Sequence, residues 1–157
     1  EPTGKDWHIG RNPTPTSLKR YKSIPPGGNR FDLPVALTPD CWMRKKTGST
    51  DVFGRLKWDA PSLTIRTEFF KPEKGCYLHP KAHRPITIRE AARLQTFPDK
   101  YVFIGSNVQV AKQIGNAVPC RLAYAVGKEL FQLLNPSAYS IQNETVDRLA
   151  PLQRQLA

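Results

Sequence analysis

The chain has 157 residues, a length typical of one domain or of part of a larger one. Its 24 basic and 13 acidic residues give a formal net charge of +11, which indicates a polyanionic partner, either nucleic acid or an acidic membrane surface. The membrane alternative lacks support, because the sequence has no run of ~18 apolar residues and no signal-like start. Three cysteines, an odd number, argue against a disulfide scaffold and favour a reducing compartment.

The first 60 residues are rich in proline and glycine, as in RNPTPTSLKRYKSIPPGGNRFDLP at residues 11–34. Proline lacks an amide donor and glycine permits left-handed turns, so this region is predicted to be ordered loop with short strands. Disorder is the alternative. Five aromatic side chains favour order, because they could anchor the loops: Trp7, Tyr21, Phe31, Trp42 and Phe53.

The stretch SLTIRTEFF, residues 62–70, alternates between apolar and polar side chains. Leu63 and Ile65 would lie on one side of a strand, and Thr64 and Arg66 on the other. This period of two predicts a strand with one solvated face. The following GCYLH, residues 75–79, is predicted to be its hairpin return.

Three helices are predicted in the second half of the chain. The first begins at Thr87, which forms a capping box with Glu90, and is stopped by Pro98. Its apolar face consists of Ile88, Ala91 and Ala92, and its outer face of Arg89 and Arg93.

The second helix is predicted to begin after an N-cap at Ser106, to run to Ile114 and to close on Gly115 as a left-handed residue. A third helix starts with Pro119 in its first turn and ends at Asn135 and Pro136. Its predicted core stripe is Leu122, Val126, Leu130 and Leu133.

Basic side chains occur among aromatic and hydroxyl-bearing residues, a combination that suits contacts with phosphate oxygens. A solvated surface is the alternative for each residue taken singly. Together they favour nucleic acid. The candidate DNA contacts are Lys45, Lys46, Arg55, Lys57 and Arg66.

One candidate zinc site consists of Cys76, His79 and His83, with Cys41 as a fourth ligand. The set lacks the paired Cys-x2-Cys knuckle that makes zinc signatures specific. No metal site is therefore predicted.

Cys120 follows a proline and is a candidate nucleophile. An attacking cysteine needs an activated thiol and a positioned partner, and no acidic residue is close to Cys120 in the sequence. A plain amphipathic helix follows it. A buried structural thiol is the better interpretation.

Two long stretches resemble the C-terminal end of bacterial DNA cytosine-5 methyltransferases. They are RPITIREAARLQTFPDKY at residues 84–101 and VAKQIGNAVPCRLAYAVGKEL at residues 110–130. Arg89 to Asp99 match the family's ninth motif, and Gln113 to Val118 match its tenth. Upstream, WDAPSLTIRTEFF is similar to the end of the family's target-recognition domain, where the recurrent threonine corresponds to Thr64.

The resemblance implies an α+β fold in which a loop-rich, short-stranded target-recognition part precedes a small helical part. The helical part would complete a Rossmann-like catalytic domain that uses S-adenosyl-L-methionine (SAM). We expect residues 1–84 to bind double-stranded DNA, residues 85–136 to pack on the catalytic domain and residues 137–157 to form a tail. By resemblance, Asn116 and Ala117 contact SAM and Thr64 contacts the DNA backbone.

The departures from the family pattern are equally specific. These 157 residues lack four motifs of the family: the Phe-x-Gly-x-Gly cofactor motif, the Pro-Cys-Gln nucleophile loop, the Glu-Asn-Val motif and the Gln-x-Arg-x-Arg motif. Cys120 stands in the helix that follows the tenth motif, where the family has no nucleophile, so no catalytic residue is assigned. Because the sequence begins with Glu1, we expect a fragment or small subunit that is inactive alone and needs an N-terminal catalytic half.

The expected setting is the bacterial cytoplasm, with a role in DNA methylation and restriction–modification. The alternative is a stand-alone basic DNA-binding module without catalytic function, because two short helices around Gly115 imitate a helix-turn-helix. The tenth motif favours the methyltransferase, since a repressor has no use for it.

Overall fold

A short parallel sheet joins two distant parts of the chain. In this computed structural model, which describes residues 6–44 and 47–135, β1 (Gly54–Arg55) pairs with β2 (Cys76–Leu78). Gly54 lies opposite Cys76 and Arg55 opposite Leu78, with an irregularity between them. The predicted mixture of helices and short strands is confirmed, since five helices accompany this sheet in the described ranges.

The described helices are α1 (Pro15–Ser23), α2 (Asp40–Met43), α3 (Ile88–Leu94), α4 (Asn107–Asn116) and α5 (Cys120–Leu134). Three single 3-10 turns, at Arg30–Asp32, Val35–Leu37 and Pro72–Lys74, lie between them. The chain divides into two compact units, Glu1–Pro119 and Cys120–Ala157. The first unit contains both strands and α1 to α4. The predicted tail, residues 137–157, lies outside the described residues.

Helix α1 was not predicted. Thr14 caps it by accepting a hydrogen bond from the Ser17 amide, and Pro15 occupies the first turn, where its missing amide does no harm. Only Tyr21 of this helix is buried, so the segment lacks the apolar periodicity that signals a helix. Of the five predicted aromatic anchors, Trp7, Tyr21 and Phe53 are buried, whereas Trp42 is half-buried and Phe31 is exposed.

The predicted strand over residues 62–70 is wrong. Residues 61–66 have no regular secondary structure, and residues 67–70 form a turn. Ile65 is buried, but Leu63 is more than half exposed. The hydroxyl of Tyr77 holds this segment instead of a neighbouring strand: it donates to the Thr64 carbonyl (3.1 Å) and accepts from the Arg66 amide (3.2 Å).

The predicted hairpin is also wrong, although its second strand exists. Strand β2 pairs with β1 rather than with residues 62–70. Its antiparallel return is the segment after it: Leu78 bridges Pro85, the His79 amide donates to the Arg84 carbonyl, and the Ile86 amide donates to the Tyr77 carbonyl.

Helix α3 confirms the predicted capping box. The Thr87 hydroxyl accepts from the Glu90 amide at 3.2 Å, and the Thr87 amide donates to the Glu90 carboxylate at 2.8 Å. The guanidinium of Arg84 also makes two hydrogen bonds of 2.8 Å to that carboxylate. Burial alone would raise the pKa of Glu90, but the hydrogen bonds from Arg84 and Thr87, with the charge of Arg84, lower it to about 2.

Helix α4 begins at the predicted cap, Ser106, but does not close on Gly115. It continues through Gly115 to Asn116, and Ala117 leaves it in an extended conformation. Glycine is needed here for proximity rather than for a left-handed turn. A Cβ on Gly115 would lie 2.4 Å from the Thr67 amide nitrogen and 2.5 Å from the Arg66 carbonyl carbon.

Helix α5 ends at Leu134, as predicted, but its predicted core stripe is not buried. Val126, Leu122, Leu130 and Leu133 are 50%, 53%, 54% and 76% exposed. An apolar stripe indicates that a helix face is covered without indicating what covers it.

The interior of the first unit consists of two apolar clusters. The larger contains Trp7, Leu56, Ile65, Phe69, Tyr77, Ile86, Ile88, Ala91, Ala92, Phe103, Val110, Ala111 and Ile114. The smaller contains Tyr21, Ile24, Leu33, Phe53 and Leu78. The first unites α3, α4 and the irregular segment around Ile65, while the second joins α1 to the sheet.

Arg55 is a buried cation, only 2% exposed. Its guanidinium donates to four backbone carbonyls: those of Ile24 (2.7 Å), Tyr21, His79 and Ala82 (2.9 Å). Burial lowers the pKa of Arg55 from its ordinary value. These bonds use backbone carbonyls on both sides of Arg55 in the sequence, so Arg55 fastens the end of α1 to the loop after β2.

We expect Gly115→Ala to destabilise the first unit. Alanine normally stabilises a helix interior relative to glycine, by about 1 kcal/mol. Here the added methyl would overlap backbone atoms, at a cost of about 1–3 kcal/mol. The matched control is Gly127→Ala in α5, where a Cβ would meet nothing within 4 Å and should be tolerated. Urea unfolding of both variants measures the difference, and equal stability of the two variants would contradict the close approach.

The Glu90 ion pair should stabilise the fold in a pH-dependent manner. The folded pKa of about 2 lies below the ordinary glutamate value, so the stabilisation is complete above about pH 4.5 and is lost as the pH falls towards 2. After discounting for solvent screening, we expect Glu90→Gln to cost about 1–2 kcal/mol at neutral pH. Urea unfolding should show this cost shrinking below about pH 4.5. A cost that stays constant across that range would exclude the proposed linkage.

Candidate functional site

Thr64 and Ala117, predicted to serve DNA and cofactor respectively, line one groove. This groove of about 680 Å³ lies in the first unit. Its walls come from the irregular segment after Trp58, the end of α3 and the end of α4: Ala60, Pro61, Ser62, Leu63, Thr64, Ile65, Arg93, Leu94, Gln95, Gly115, Ala117 and Pro119. The packing of Gly115 against Arg66 and Thr67 brings the first and third of these walls together.

Thr64 presents an unused hydroxyl. The residue is exposed, and its backbone carbonyl is fixed by the Tyr77 hydroxyl at 3.1 Å. Among the described residues, the Thr64 side chain has no hydrogen-bond partner. It is therefore free to donate to, or accept from, a ligand in the groove.

Gln95 fixes the turn after α4 and was not singled out from the sequence. This buried amide reaches from the end of α3 and donates to the carbonyls of Ile114 (3.0 Å) and Ala117 (3.2 Å). The Ala117 amide donates back to Ile114. Both polar groups of the Ala117 backbone are thus used inside the protein.

Asn116 differs from Ala117 in being open to a ligand. It is the exposed last residue of α4, and its side-chain amide has no partner within the described part of the chain. The carbonyl end of a helix carries partial negative charge, which attracts cations. A cationic ligand would suit this helix end, and the Asn116 amide could supply a hydrogen bond to it.

The predicted DNA-contacting cations are in different environments. Lys57 is exposed. Arg66 is also exposed, but it pairs with Asp51 at 3.0 Å and donates to the Lys74 carbonyl at 3.1 Å. Arg55 is buried and its guanidinium is occupied by carbonyls, so it is not available to a phosphate. Lys45 and Lys46 lie outside the described residues.

The residues of the ninth motif mainly bind one another. Arg93 makes a double hydrogen bond with Asp99, at 2.8 and 3.0 Å, and Arg89 donates to the Asp99 carbonyl at 2.9 Å. Glu90 is likewise bound to Arg84, so these charged side chains hold the backbone around α3 in place.

The cysteines and histidines do not converge. Among the described residues, no group of three or more His, Cys, Asp or Glu side chains could hold a metal ion. The Nδ1 atom of His79 accepts from the amides of Lys81 (3.1 Å) and Ala82 (2.9 Å). Burial raises the pKa of the Cys76 thiol. Cys120 is the half-exposed first residue of α5.

No helix in residues 6–44 and 47–135 combines the length and apolar character that crossing a bilayer requires. This finding concerns the described ranges only.

Comparison with known proteins identifies relatives over most of the chain. Residues 17–132 match the family model for C-5 cytosine-specific DNA methylases. The type II methyltransferase M.PspPI of Psychrobacter sp. (strain TA137) is 46% identical over 116 residues, which cover 71% of this chain and 27% of that protein. M.Eco47II of Escherichia coli is 44% identical over 116 residues, with the same coverage.

A mammalian protein is also similar: DNA (cytosine-5)-methyltransferase 1 of Mus musculus is 40% identical over 103 residues, 62% of this chain and 6% of the mouse protein. The chain thus spans about a quarter of the length of its bacterial relatives. Because the family model covers well over half of its residues, the chain belongs to the C-5 cytosine-specific DNA methylase family.

Proposed function

We propose that this chain supplies the DNA target-recognition region and part of the SAM pocket of a DNA cytosine-5 methyltransferase, as its C-terminal part or small subunit. The observation that carries the proposal is the shared groove of Thr64 and Ala117. A methyltransferase must hold DNA and cofactor at fixed positions relative to each other. Gly115 supports this arrangement, because it lets α4 pack directly on the backbone of Arg66 and Thr67.

On the DNA side, the support comes from charge and accessibility. The net charge of +11 favours a polyanion, and Thr64, Lys57 and Arg66 are exposed. Threonine and lysine side chains that contact phosphates position a protein on DNA without reading its sequence. Lys45 and Lys46 remain proposed contacts on sequence grounds. Arg55 is excluded as a DNA contact because it is buried.

On the cofactor side, Asn116 is the residue proposed to bind SAM, with Ala117 as its fixed neighbour. SAM would supply the methyl group. The Gln95 hydrogen bonds hold the turn after α4, so that the Asn116 amide projects from a rigid helix end. A rigid support reduces the entropy lost when a ligand is bound.

The remainder of the catalytic domain is proposed to come from an N-terminal half that carries the nucleophile loop. The exposed apolar stripe of α5 is the surface proposed to contact it, since contiguous exposed apolar side chains mark interaction sites. Together the two parts would complete a Rossmann-like domain. In this division, residues 1–84 serve DNA and residues 85–136 serve the catalytic domain.

Methyl transfer is expected only after the two parts are combined. The chain alone lacks the Pro-Cys-Gln loop and the main cofactor motif, so no thiolate is placed to attack cytosine C5. Mixing it with the N-terminal half should give transfer of labelled methyl groups from SAM to duplex DNA.

The control is Cys120→Ser, which should retain this activity because Cys120 is not the nucleophile. Transfer by the chain alone that disappears in Cys120→Ser would refute the proposal. So would a combined sample that assembles but transfers nothing.

Thr64 and Asn116 should affect different ligands in the reassembled complex. Thr64→Ala should weaken DNA binding, because its free hydroxyl is lost, and Thr64→Ser should restore it. Asn116→Ala should weaken SAM binding by about 1 kcal/mol, the net contribution of one neutral hydrogen bond. Separate titrations with SAM and with DNA measure both effects. If both substitutions impair the same titration and spare the other, the division into a DNA side and a cofactor side is wrong.

A further inference from the structure

Trp58 is an exposed aromatic residue that the proposed function leaves unexplained. It is 67% exposed, whereas Trp7 is buried and Trp42 is half-buried. In the described part of the chain, its indole N–H has no hydrogen-bond acceptor. Large aromatic side chains with a free polar tip are enriched at binding surfaces.

Two unpaired cations lie beside Trp58. The Lys81 ammonium is 4.1 Å from the centroid of the indole ring, a cation–π contact. Lys57 precedes Trp58 in the chain, and its side chain packs against Gly27, which has a positive φ of 74°. Neither lysine forms an ion pair among the described residues, so both charges are available to an anion.

A groove of about 400 Å³ opens beside the indole. Its walls include the apolar side chains of Leu56, Pro80, Ile86 and Leu94, and Lys57 and Arg93 contribute to its rim. Glu90 also lines it, but Arg84 neutralises that carboxylate through two hydrogen bonds of 2.8 Å. The volume lies within the range of small-ligand sites, ~300–1,000 Å³.

An apolar groove with an indole and nearby cations matches a nucleotide, whose base is planar and whose phosphate is negative. Base–aromatic stacking tolerates any sequence, because every base has a π face. In an intact duplex each base is already stacked on its neighbours, so only an unpaired base can enter the groove. Cytosine methylation creates unpaired bases, since the target carbon is reached only by opening the stack.

We propose that the groove beside Trp58 binds one unpaired nucleobase of the DNA, stacked on the indole face that Lys81 leaves open, with the flanking phosphates beside Lys57 and Lys81. This inference rests on the proposed DNA-binding function and adds a ligand that differs from the paired recognition sequence. The site lies in the first unit, so it can be tested on the 157-residue chain itself.

The test uses three labelled duplexes of one sequence: an intact duplex, one with a single bulged nucleotide and one with an abasic bulge. The abasic bulge keeps the backbone distortion but removes the base. The chain should bind the base-containing bulge about fivefold to a hundredfold more tightly than the abasic one. Trp58→Ala should abolish this preference and leave affinity for the intact duplex nearly unchanged.

Intrinsic fluorescence supplies a second measurement on the same complexes. Binding of the bulged duplex should quench tryptophan emission in the wild type and in Trp42→Phe, but not in Trp58→Phe. Because Trp58 is exposed, its variants should fold, and urea unfolding confirms this. Lys81→Ala should reduce the preference for the bulged duplexes over the intact duplex. The effect should be larger than that of Lys112→Ala, which removes the same charge from α4.

Equal affinity of the wild type for the base-containing and abasic bulges would overturn the stacking site while leaving DNA binding intact. A loss in Trp58→Ala that is equal for all three duplexes would also overturn it. Absence of binding to every duplex, even at low salt, would refute both this inference and the proposed DNA-binding role.

Discussion

The candidate site depends on the absence of one methyl group. Gly115 allows α4 to lie directly on the backbone of Arg66 and Thr67, with no side chain between them. From this contact the Tyr77 hydroxyl fixes Thr64, and the Gln95 amide fixes Ala117. Two segments far apart in the sequence therefore form one groove with little freedom between its walls. A family that must coordinate DNA and cofactor gains from such stiffness, since reacting groups have to meet within fractions of an ångström.

Features that depend on near neighbours in the chain could be predicted from the sequence. The caps at Thr87 and Ser106 and the end of α5 involve residues within one helical turn, so their side-chain chemistry specifies them. The strand prediction for residues 62–70 failed because alternation describes only the side chains. Whether a neighbouring strand is present depends on distant residues, and here a tyrosine hydroxyl and a glycine take that place. Gly115 was predicted to end its helix. Its close approach to the distant backbone of Arg66 and Thr67 leaves no signal in the neighbouring sequence.

The candidate DNA contacts also depend partly on local sequence and partly on distant residues. Arg55 and Lys57 are two positions apart and carry the same charge, yet one is buried and the other exposed. Pairing with β2 places Arg55 in the interior, where its guanidinium donates to four backbone carbonyls. Net charge predicts the class of ligand, whereas pairing with β2 decides which of these two cations is exposed. The role of Gln95 was hidden for a related reason, since its acceptors belong to another helix.

The buried guanidinium of Arg55 also links the folding of this protein to the order in which its residues are synthesised. Two of its acceptors, Tyr21 and Ile24, precede it in the chain, and the other two, His79 and Ala82, follow it. At ~5–20 residues per second, a ribosome completes Ala82 several seconds after Tyr21. Until Ala82 is complete, Arg55 lacks part of its acceptor set and cannot fasten the nascent N-terminal segment to the loop after β2. The maturation of that segment is tied to the progress of translation, so a pause in the intervening codons would lengthen the period in which it is vulnerable to proteases.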